Sequence, residues 1–139
     1  MAQNIFIAFG HEPAAHLELA RFLQQLGHRP VLLAESDDLG LTIIEKFEHY
    51  AKQCQFAFAI FSPDDKQASE LSGNDRWRAR QNVVLELGWF MAQLGRRRVV
   101  ILHKGQVDIP SDLLGVLHLP FQKSVFEVSE KIRQRLSNV

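Results

Sequence analysis

Short apolar runs alternate along the chain with longer segments in which apolar residues recur every three or four positions. A short apolar run bounded by turn residues predicts a strand buried on both faces, and the three-to-four spacing predicts an amphipathic helix. The predicted strands are 4–9, 30–34, 55–61, 99–102 and 116–119. The predicted helices are 13–26, 42–52, 79–94 and 124–136.

Two helix starts carry an additional signal. Thr42 is followed three residues later by Glu45, and Ser124 is followed by Glu127, which is the form of a capping box. Residues 64–78, by contrast, are mostly polar and show neither period. We expect them to form a loop, and loops of about fifteen residues in a compact domain are usually functional or disordered.

Strands that alternate with helices predict a parallel sheet with helices on both faces, because parallel neighbours need a crossover connection. For five strands we expect the flavodoxin-like order 2-1-3-4-5. Ligands of such folds bind outside the carboxyl ends of the strands, near the point where the strand order reverses. This places three segments around one candidate site, namely 10–12, 35–41 and 62–78.

Composition limits the class of protein. The 139 residues predict a single domain, 1–139. Sixteen Lys and Arg balance sixteen Asp and Glu, so we expect no diffuse attraction to nucleic acid or to an anionic membrane. Cys54 is the only cysteine and no metal-ligand spacing occurs, so we expect no metal. With no run near the ~18 apolar residues of a membrane span and no signal peptide, we expect a soluble, cytoplasmic domain.

The predicted helix 79–94 carries the first candidate for chemistry. Within 83–94, Glu86 and Gln93 are the only polar side chains, and Asn82 falls on the same helical face as Glu86. One interpretation is the solvated face of an amphipathic helix. The other is a carboxylate at the edge of a cleft, with Asn82 as its hydrogen-bonding neighbour. Periodicity does not distinguish the two.

Arginines precede this helix at Arg76, Arg78 and Arg80. Cations at the amino end of a helix oppose its dipole, and a bound anion would reverse that effect. Guanidinium groups at such a position suit phosphate. The alternative is that they pair with acidic residues of the same segment. Those residues are Asp64, Asp65, Glu70 and Asp75.

Other nucleotide or phosphoryl sites match less well. Asp64 and Asp65 follow the third strand, where the phosphoacceptor of a receiver domain lies. The residues at 10–12 and 122–123 only partly match the acidic cluster and the lysine that such a domain needs. Neither G-x-G-x-x-G nor G-x-x-x-x-G-K-[ST] occurs, so a Rossmann or P-loop site is not supported.

Five stretches, in order, resemble the TIR-like domain of bacterial predicted nucleotide-binding proteins, which is fused to STING or other sensors in cyclic-nucleotide antiphage systems. They are 6–12, 41–48, 62–65, 78–88 and 109–112. The most specific are R-A-R-Q-N-V-V-x-E-L-G in 78–88 and T-I-I-E-K-F-E in 42–48. The family usually has His-Gly-His-Asp after its first strand, whereas this chain has Phe9-Gly10-His11-Glu12.

The resemblance implies an NAD+ glycohydrolase that cleaves the nicotinamide–ribose bond once its domains cluster, with NAD+ as substrate and no separate cofactor. By position, Glu86 corresponds to the family's catalytic glutamate. The remaining candidates are expected to bind substrate. They are Gly10, His11, Asp38, Asp64, Arg78, Arg80 and Asn82.

The resemblance also implies partners. The segment 35–41 is the equivalent of the TIR BB loop, which moves over the site and contacts the next subunit, so we expect self-association through it. A fused or separate cyclic-nucleotide sensor is expected to control assembly. The alternative is a TIR module that only forms a scaffold or binds nucleotide without cleaving it.

Overall fold

The computed structural model describes residues 2–63, 65–68, 75–78, 81–105, 107, 109, 113 and 115–138. Within them, the strands in chain order are β1 (Asn4–Ala8), β2 (Arg29–Val31), β3 (Phe56–Phe61), β4 (Asp65–Ala68), β5 (Asp75–Arg78), β6 (Val99–Lys104) and β7 (Leu117–Phe121). Five of these form one parallel sheet in the order β2-β1-β3-β6-β7. The predicted order 2-1-3-4-5 is confirmed.

The helices connect these strands on both faces of the sheet. They are α1 (Ala15–Gln25), α2 (Ile43–Ala51), α3 (Gln81–Leu94) and α4 (Ser129–Ser137). Both predicted capping boxes form. Thr42 Oγ1 accepts from the Glu45 backbone N–H at 3.3 Å, and Glu45 Oε1 accepts from the Thr42 backbone N–H at 3.0 Å. Ser124 and Glu127 form the second box. No helix of the described ranges is long and apolar enough to cross a membrane.

The central strand β3 shows why the sheet is covered on both sides. All of its residues are buried. Phe56, Phe58 and Ile60 pack into the layer under α1 and α4, while alternate residues pack under α2 and α3. Side chains alternate between the faces of a strand, so one apolar run supplies both layers. Each fully buried large side chain contributes about 1.5–3 kcal/mol to folding.

One prediction about the fold is wrong. The segment 64–78 was expected to be a loop, but 65–68 and 75–78 pair as an antiparallel hairpin, with Asp65 opposite Arg78. These strands pair with each other and lie outside the main sheet, so their sequence carries no alternating apolar pattern. Arg76 and Arg78 are therefore strand residues that precede α3, and their expected effect at the amino end of that helix stays a prediction.

The second strand is shorter than predicted. It ends at Val31, and Leu33–Glu35 forms a 3-10 turn in place of the expected strand residues. The other strand ends differ from the predicted ones by one or two residues, as fraying ends commonly do.

Candidate functional site

The parallel topology brings several candidate residues to one edge of the sheet. The carboxyl ends of β1 and β3 are neighbours, and β1 pairs with β2 on its other side, so the strand order reverses here. Helices α2 and α3 both start at this edge and run back across the sheet. The first two turns of α3, with Asn82 and Glu86, therefore lie at the edge where ligands of such folds bind.

The turn after β1 is organised by a buried carboxylate. Glu12 is only 6% exposed. It accepts hydrogen bonds from the backbone N–H groups of Ala15 at 2.6 Å and His16 at 3.2 Å. These donors belong to the first turn of α1 and have no partner within the helix, so Glu12 caps the helix and faces its positive end.

His16 links the two positions at which this turn departs from the family pattern. Its ring Nδ1 lies 2.6 Å from Glu12 Oε1. Its ring stacks on Phe9 with centroids 3.9 Å apart and planes within 2°. Phe9 thus contacts the face of the His16 imidazole, and Glu12 contacts its edge. The sequence pattern did not show this pairing, because the three residues belong to a turn and a helix with no common period.

A cavity of about 370 Å³ opens beside this turn. His11 and Glu12 line one side of it, and Lys104 lies on the other. Gly10 joins β1 to this turn. Sequence reasoning missed Lys104; the available signal was a cation at the last position of a strand whose first four residues are apolar. The expected roles of Gly10 and His11 in substrate binding stay predictions.

Glu86 is desolvated. Its neighbours Val83, Leu87 and Phe90 are fully buried against the sheet. Burial raises the pKa of the Glu86 carboxyl from 4.5 to about 7, and a hydrogen bond with the Asn82 side chain opposes the shift. A freely solvated carboxylate would keep its ordinary pKa. The structure therefore favours the cleft-edge interpretation of this helical face over the solvated one.

Aromatic side chains form a rigid wall on the same side of the sheet. Trp89, three residues beyond Glu86, packs edge-on against Phe47 of α2 at 5.3 Å and against Phe90 at 5.1 Å. Phe6 of β1 contacts the same group. Residues three apart on a helix are neighbours, so Glu86 lies beside an apolar surface. Apolar surroundings disfavour the charged carboxylate, which agrees with its raised pKa.

The segment 35–41 is attached to α2. The Lys46 ammonium lies 2.6 Å from Asp38 Oδ1, and the Tyr50 hydroxyl donates to the Asp37 carbonyl at 2.7 Å. Asp38 was expected to bind substrate, but its carboxylate is engaged with Lys46. Leu39 has a φ of 56°, the left-handed conformation that non-glycine residues rarely adopt.

An exposed apolar surface continues from this segment into α2. We call it the 39–44 patch, and its members are Leu39, Leu41, Ile43 and Ile44. Ile43 is 88% exposed, although large apolar side chains normally avoid that much water. Large groups of exposed apolar residues are typical of surfaces that contact other molecules.

The remaining candidates are only partly described. Arg78 lies in β5, but its side chain is outside the described part of the chain, as are Asp64 and Arg80. Their expected roles stay predictions. Among the described residues, no three His, Cys, Asp or Glu side chains are grouped so that they could hold a metal ion.

A five-stranded parallel sheet of this order with helices on both faces is the α/β architecture of a TIR domain. Residues 4–123 match the family described as "CAP12/Pycsar effector protein, TIR domain". The chain belongs to this family. Family membership leaves the receiver-domain alternative without support, and the use of Glu12 as a helix cap agrees with that.

Three relatives show the range of similarity. Protein YuaY of Escherichia coli is 44% identical over 118 residues, which cover 85% of this chain and 40% of YuaY. Protein tirC of Dictyostelium discoideum is 34% identical over 139 residues, covering 93% of this chain and 69% of tirC. The Pycsar effector protein BcPycTIR of Burkholderia cepacia is 39% identical over 80 residues, covering 56% of this chain and 26% of that protein. The chain thus spans well under half the length of YuaY and of BcPycTIR.

Proposed function

We propose that this domain is an NAD+ glycohydrolase that cleaves the nicotinamide–ribose bond as an effector of antiphage defence. The observation that carries the proposal is Glu86, a desolvated carboxyl group at the ligand edge of the sheet. A strongly perturbed carboxyl at such an edge is a candidate for chemistry. The family resemblance assigns the catalytic glutamate to the same position.

The chemistry suits a single carboxylate. As nicotinamide leaves, positive charge develops on the ribose ring, and a nearby carboxylate stabilises it. A low-dielectric site strengthens that attraction. The leaving group departs as a neutral pyridine, so no general acid has to protonate it. Attack of water on the ribose carbon then gives nicotinamide and ADP-ribose, whereas attack by the adenine of the same molecule gives a cyclic product.

Asn82 acts in this proposal as a positioning residue. Its hydrogen bond to Glu86 favours the ionised carboxylate and limits the directions in which the carboxylate can point. The nicotinamide ring of NAD+ carries a positive charge, so substrate binding further favours ionised Glu86. The resting site therefore holds a mostly neutral carboxyl at acidic pH, and the substrate itself promotes the active form.

We propose that the substrate's other contacts come from the edge around Glu86. Gly10 and His11 lie on the turn after β1, and Asp38 lies in the segment that leads into α2. Arg78 and Arg80 are proposed to meet the diphosphate, and Asp64, which follows β3 in the sequence, is proposed to contact the substrate. Asp38 must release Lys46 to reach the substrate, which requires the 35–41 segment to move.

Assembly is the second part of the proposal. The 39–44 patch leaves apolar surface exposed beside the proposed site, and burial against another copy of the chain would remove it from water. One relative is named a Pycsar effector protein and another, from Flavobacterium daejeonense, CD-NTase-associated protein 12. We propose that a cyclic-nucleotide sensor, fused or separate, brings copies of this domain together.

The decisive experiment measures nicotinamide release from NAD+ by tethered or concentrated protein. Glu86→Gln should abolish release, whereas Glu130→Gln, the same change at an exposed carboxylate on α4, should leave it unchanged. Equal activity in both variants would contradict the proposal. Assembly without nicotinamide release, in protein that is tethered at high density, would instead support the alternative of a non-catalytic scaffold, which the exposed 39–44 patch also favours.

A further inference from the structure

The opposite edge of the sheet holds a second concentration of charge. Arg96, Arg97 and Arg135 line one cavity of about 330 Å³, together with Gly115 and Leu117. The first two arginines precede β6, Gly115 and Leu117 stand at the entry to β7, and Arg135 comes from α4. Two separate chain segments thus bring three guanidinium groups to the amino ends of two neighbouring strands.

Within the part of the chain that the structure describes, no carboxylate lines this cavity, and none of the three arginines forms an ion pair with an acidic side chain. The three guanidinium groups repel each other, and an anionic ligand between them would offset that repulsion because it attracts each of them.

Neighbouring residues determine how two of these arginines lie. A Cβ at position 115 would stand 2.8 Å from Arg96 Nη1, so the absence of a side chain at Gly115 lets this guanidinium lie against the backbone. Arg135 Nη1 donates to the Arg97 carbonyl at 3.3 Å. The Arg135 guanidinium is therefore positioned before any ligand arrives, which lowers the entropic cost of binding.

A second cavity adjoins the first. It measures about 430 Å³ and shares Leu117 and Arg135 with the arginine cavity. Its other walls include Lys131, the amides of Gln134 and Asn138, and the half-buried His118, whose Nε2 lies 2.9 Å from the Leu113 carbonyl. Each cavity lies within the range of about 300–1,000 Å³ that is typical of small-molecule sites. The first cavity is therefore lined mainly by guanidinium groups. The second combines the His118 ring and apolar side chains with amide groups and Lys131.

We propose that this edge binds a nucleoside di- or triphosphate, with the phosphates in the arginine cavity and the nucleoside in the adjoining one. The planar guanidinium fork matches phosphate oxygens in pairs, which a lysine ammonium does not. The amides can bond the polar edges of a base or the ribose hydroxyls. This site lies at the amino ends of the strands, opposite Glu86, and does not depend on the proposed function.

Gly115→Ala is a sharp test, because it removes no charge. The added methyl group displaces the flexible end of Arg96, which costs the fold little. We expect wild-type protein to bind ATP more tightly than inorganic pyrophosphate by calorimetry, and Gly115→Ala to weaken ATP binding roughly tenfold or more, the effect of one lost charged hydrogen bond. Gly88→Ala, at a site where a Cβ meets nothing within 4 Å, should have no effect.

Amide chemical shifts locate the binding. ATP should shift the amides of 96–98, 115–119 and 134–138, and Arg133→Ala, an equal loss of charge on α4 outside both cavities, should leave its affinity unchanged. ATP shifts confined to 82–86, or an unchanged affinity in Gly115→Ala, would overturn the proposal. Equal affinity for ATP and pyrophosphate would overturn the proposal that the second cavity binds the nucleoside. Binding of single-stranded DNA without binding of ATP would overturn the choice of a small ligand.

Discussion

Glu12 Oε1 and His16 Nδ1 lie 2.6 Å apart, one turn apart at the start of α1. The same carboxylate accepts from two backbone N–H groups of that helix. Glu12 lies in the turn that the sequence placed beside the candidate site, and it also stabilises the start of α1. Changes at this turn should be read first as changes in stability.

We expect Glu12→Gln to lower the free energy of unfolding by about 1–2 kcal/mol, because the variant loses the negative charge that faces the helix amino end and weakens the bond to His16. Thermal unfolding of Glu12→Gln beside the control Glu48→Gln, a carboxylate in the interior of α2 away from its amino end, checks this. If the two variants melted together with wild type, the capping role of Glu12 would be wrong.

The raised pKa of Glu86 predicts the pH dependence of activity. The ionised form stabilises the developing positive charge, so kcat/KM for NAD+ should rise with pH and level off above about 7. The kcat profile should turn at a lower pH, because the cationic nicotinamide ring of bound substrate favours the carboxylate. Steady-state rates of tethered protein between pH 5 and pH 9 would show both limbs. A kcat/KM profile that is flat across this range would contradict the assignment.

The same shift predicts an effect on stability. The folded pKa lies above the unfolded value of 4.5, so the folded protein retains a proton between about 4.5 and 7 and loses stability as pH rises through that window. Each pKa unit corresponds to about 1.4 kcal/mol. Glu86→Gln should therefore be more stable than wild type above pH 7, by up to about 3 kcal/mol, and no different below pH 4.5.

Urea unfolding of both proteins at pH 4 and pH 8 measures this difference. A carboxylate in full contact with water would give a change of about 0.5 kcal/mol or less at either pH. Such a result would show that Glu86 is not desolvated. A gain in stability together with a loss of nicotinamide release would be the expected trade-off at a catalytic position.

The sheet was predictable because its signals are local. A run such as 56–61 is apolar throughout, and only a strand with cover on both faces buries every residue of it. The capping boxes at Thr42 and Ser124 depend on residues three positions apart. The strands 65–68 and 75–78 were missed because they pair with each other outside the main sheet. Their sequence therefore shows no alternation of apolar and polar residues.

The candidate site was only half predictable. Helical spacing isolated Asn82 and Glu86, but it could not reveal desolvation, which depends on α2 and β1 packing alongside. The His16 contact with Phe9 and Glu12, and the arginine cavity, both join segments distant in sequence or differing in period. Such relationships are set by tertiary packing, and no local pattern encodes them.

The 39–44 patch gives the last prediction. Ile43 is 88% exposed at the first turn of α2, so Ile43→Asp should leave the melting temperature nearly unchanged. If copies associate through this patch, the carboxylate that the substitution introduces will oppose burial of the patch. Self-association, measured by analytical ultracentrifugation, should then weaken at least tenfold. Leu17→Asp is the matched control, because Leu17 is 51% exposed on α1, in the other helical layer. Since clustering is proposed to switch activity on, Ile43→Asp should also reduce nicotinamide release at high protein concentration, and forced tethering should restore part of it. Equal self-association in the two variants would place the contact surface elsewhere.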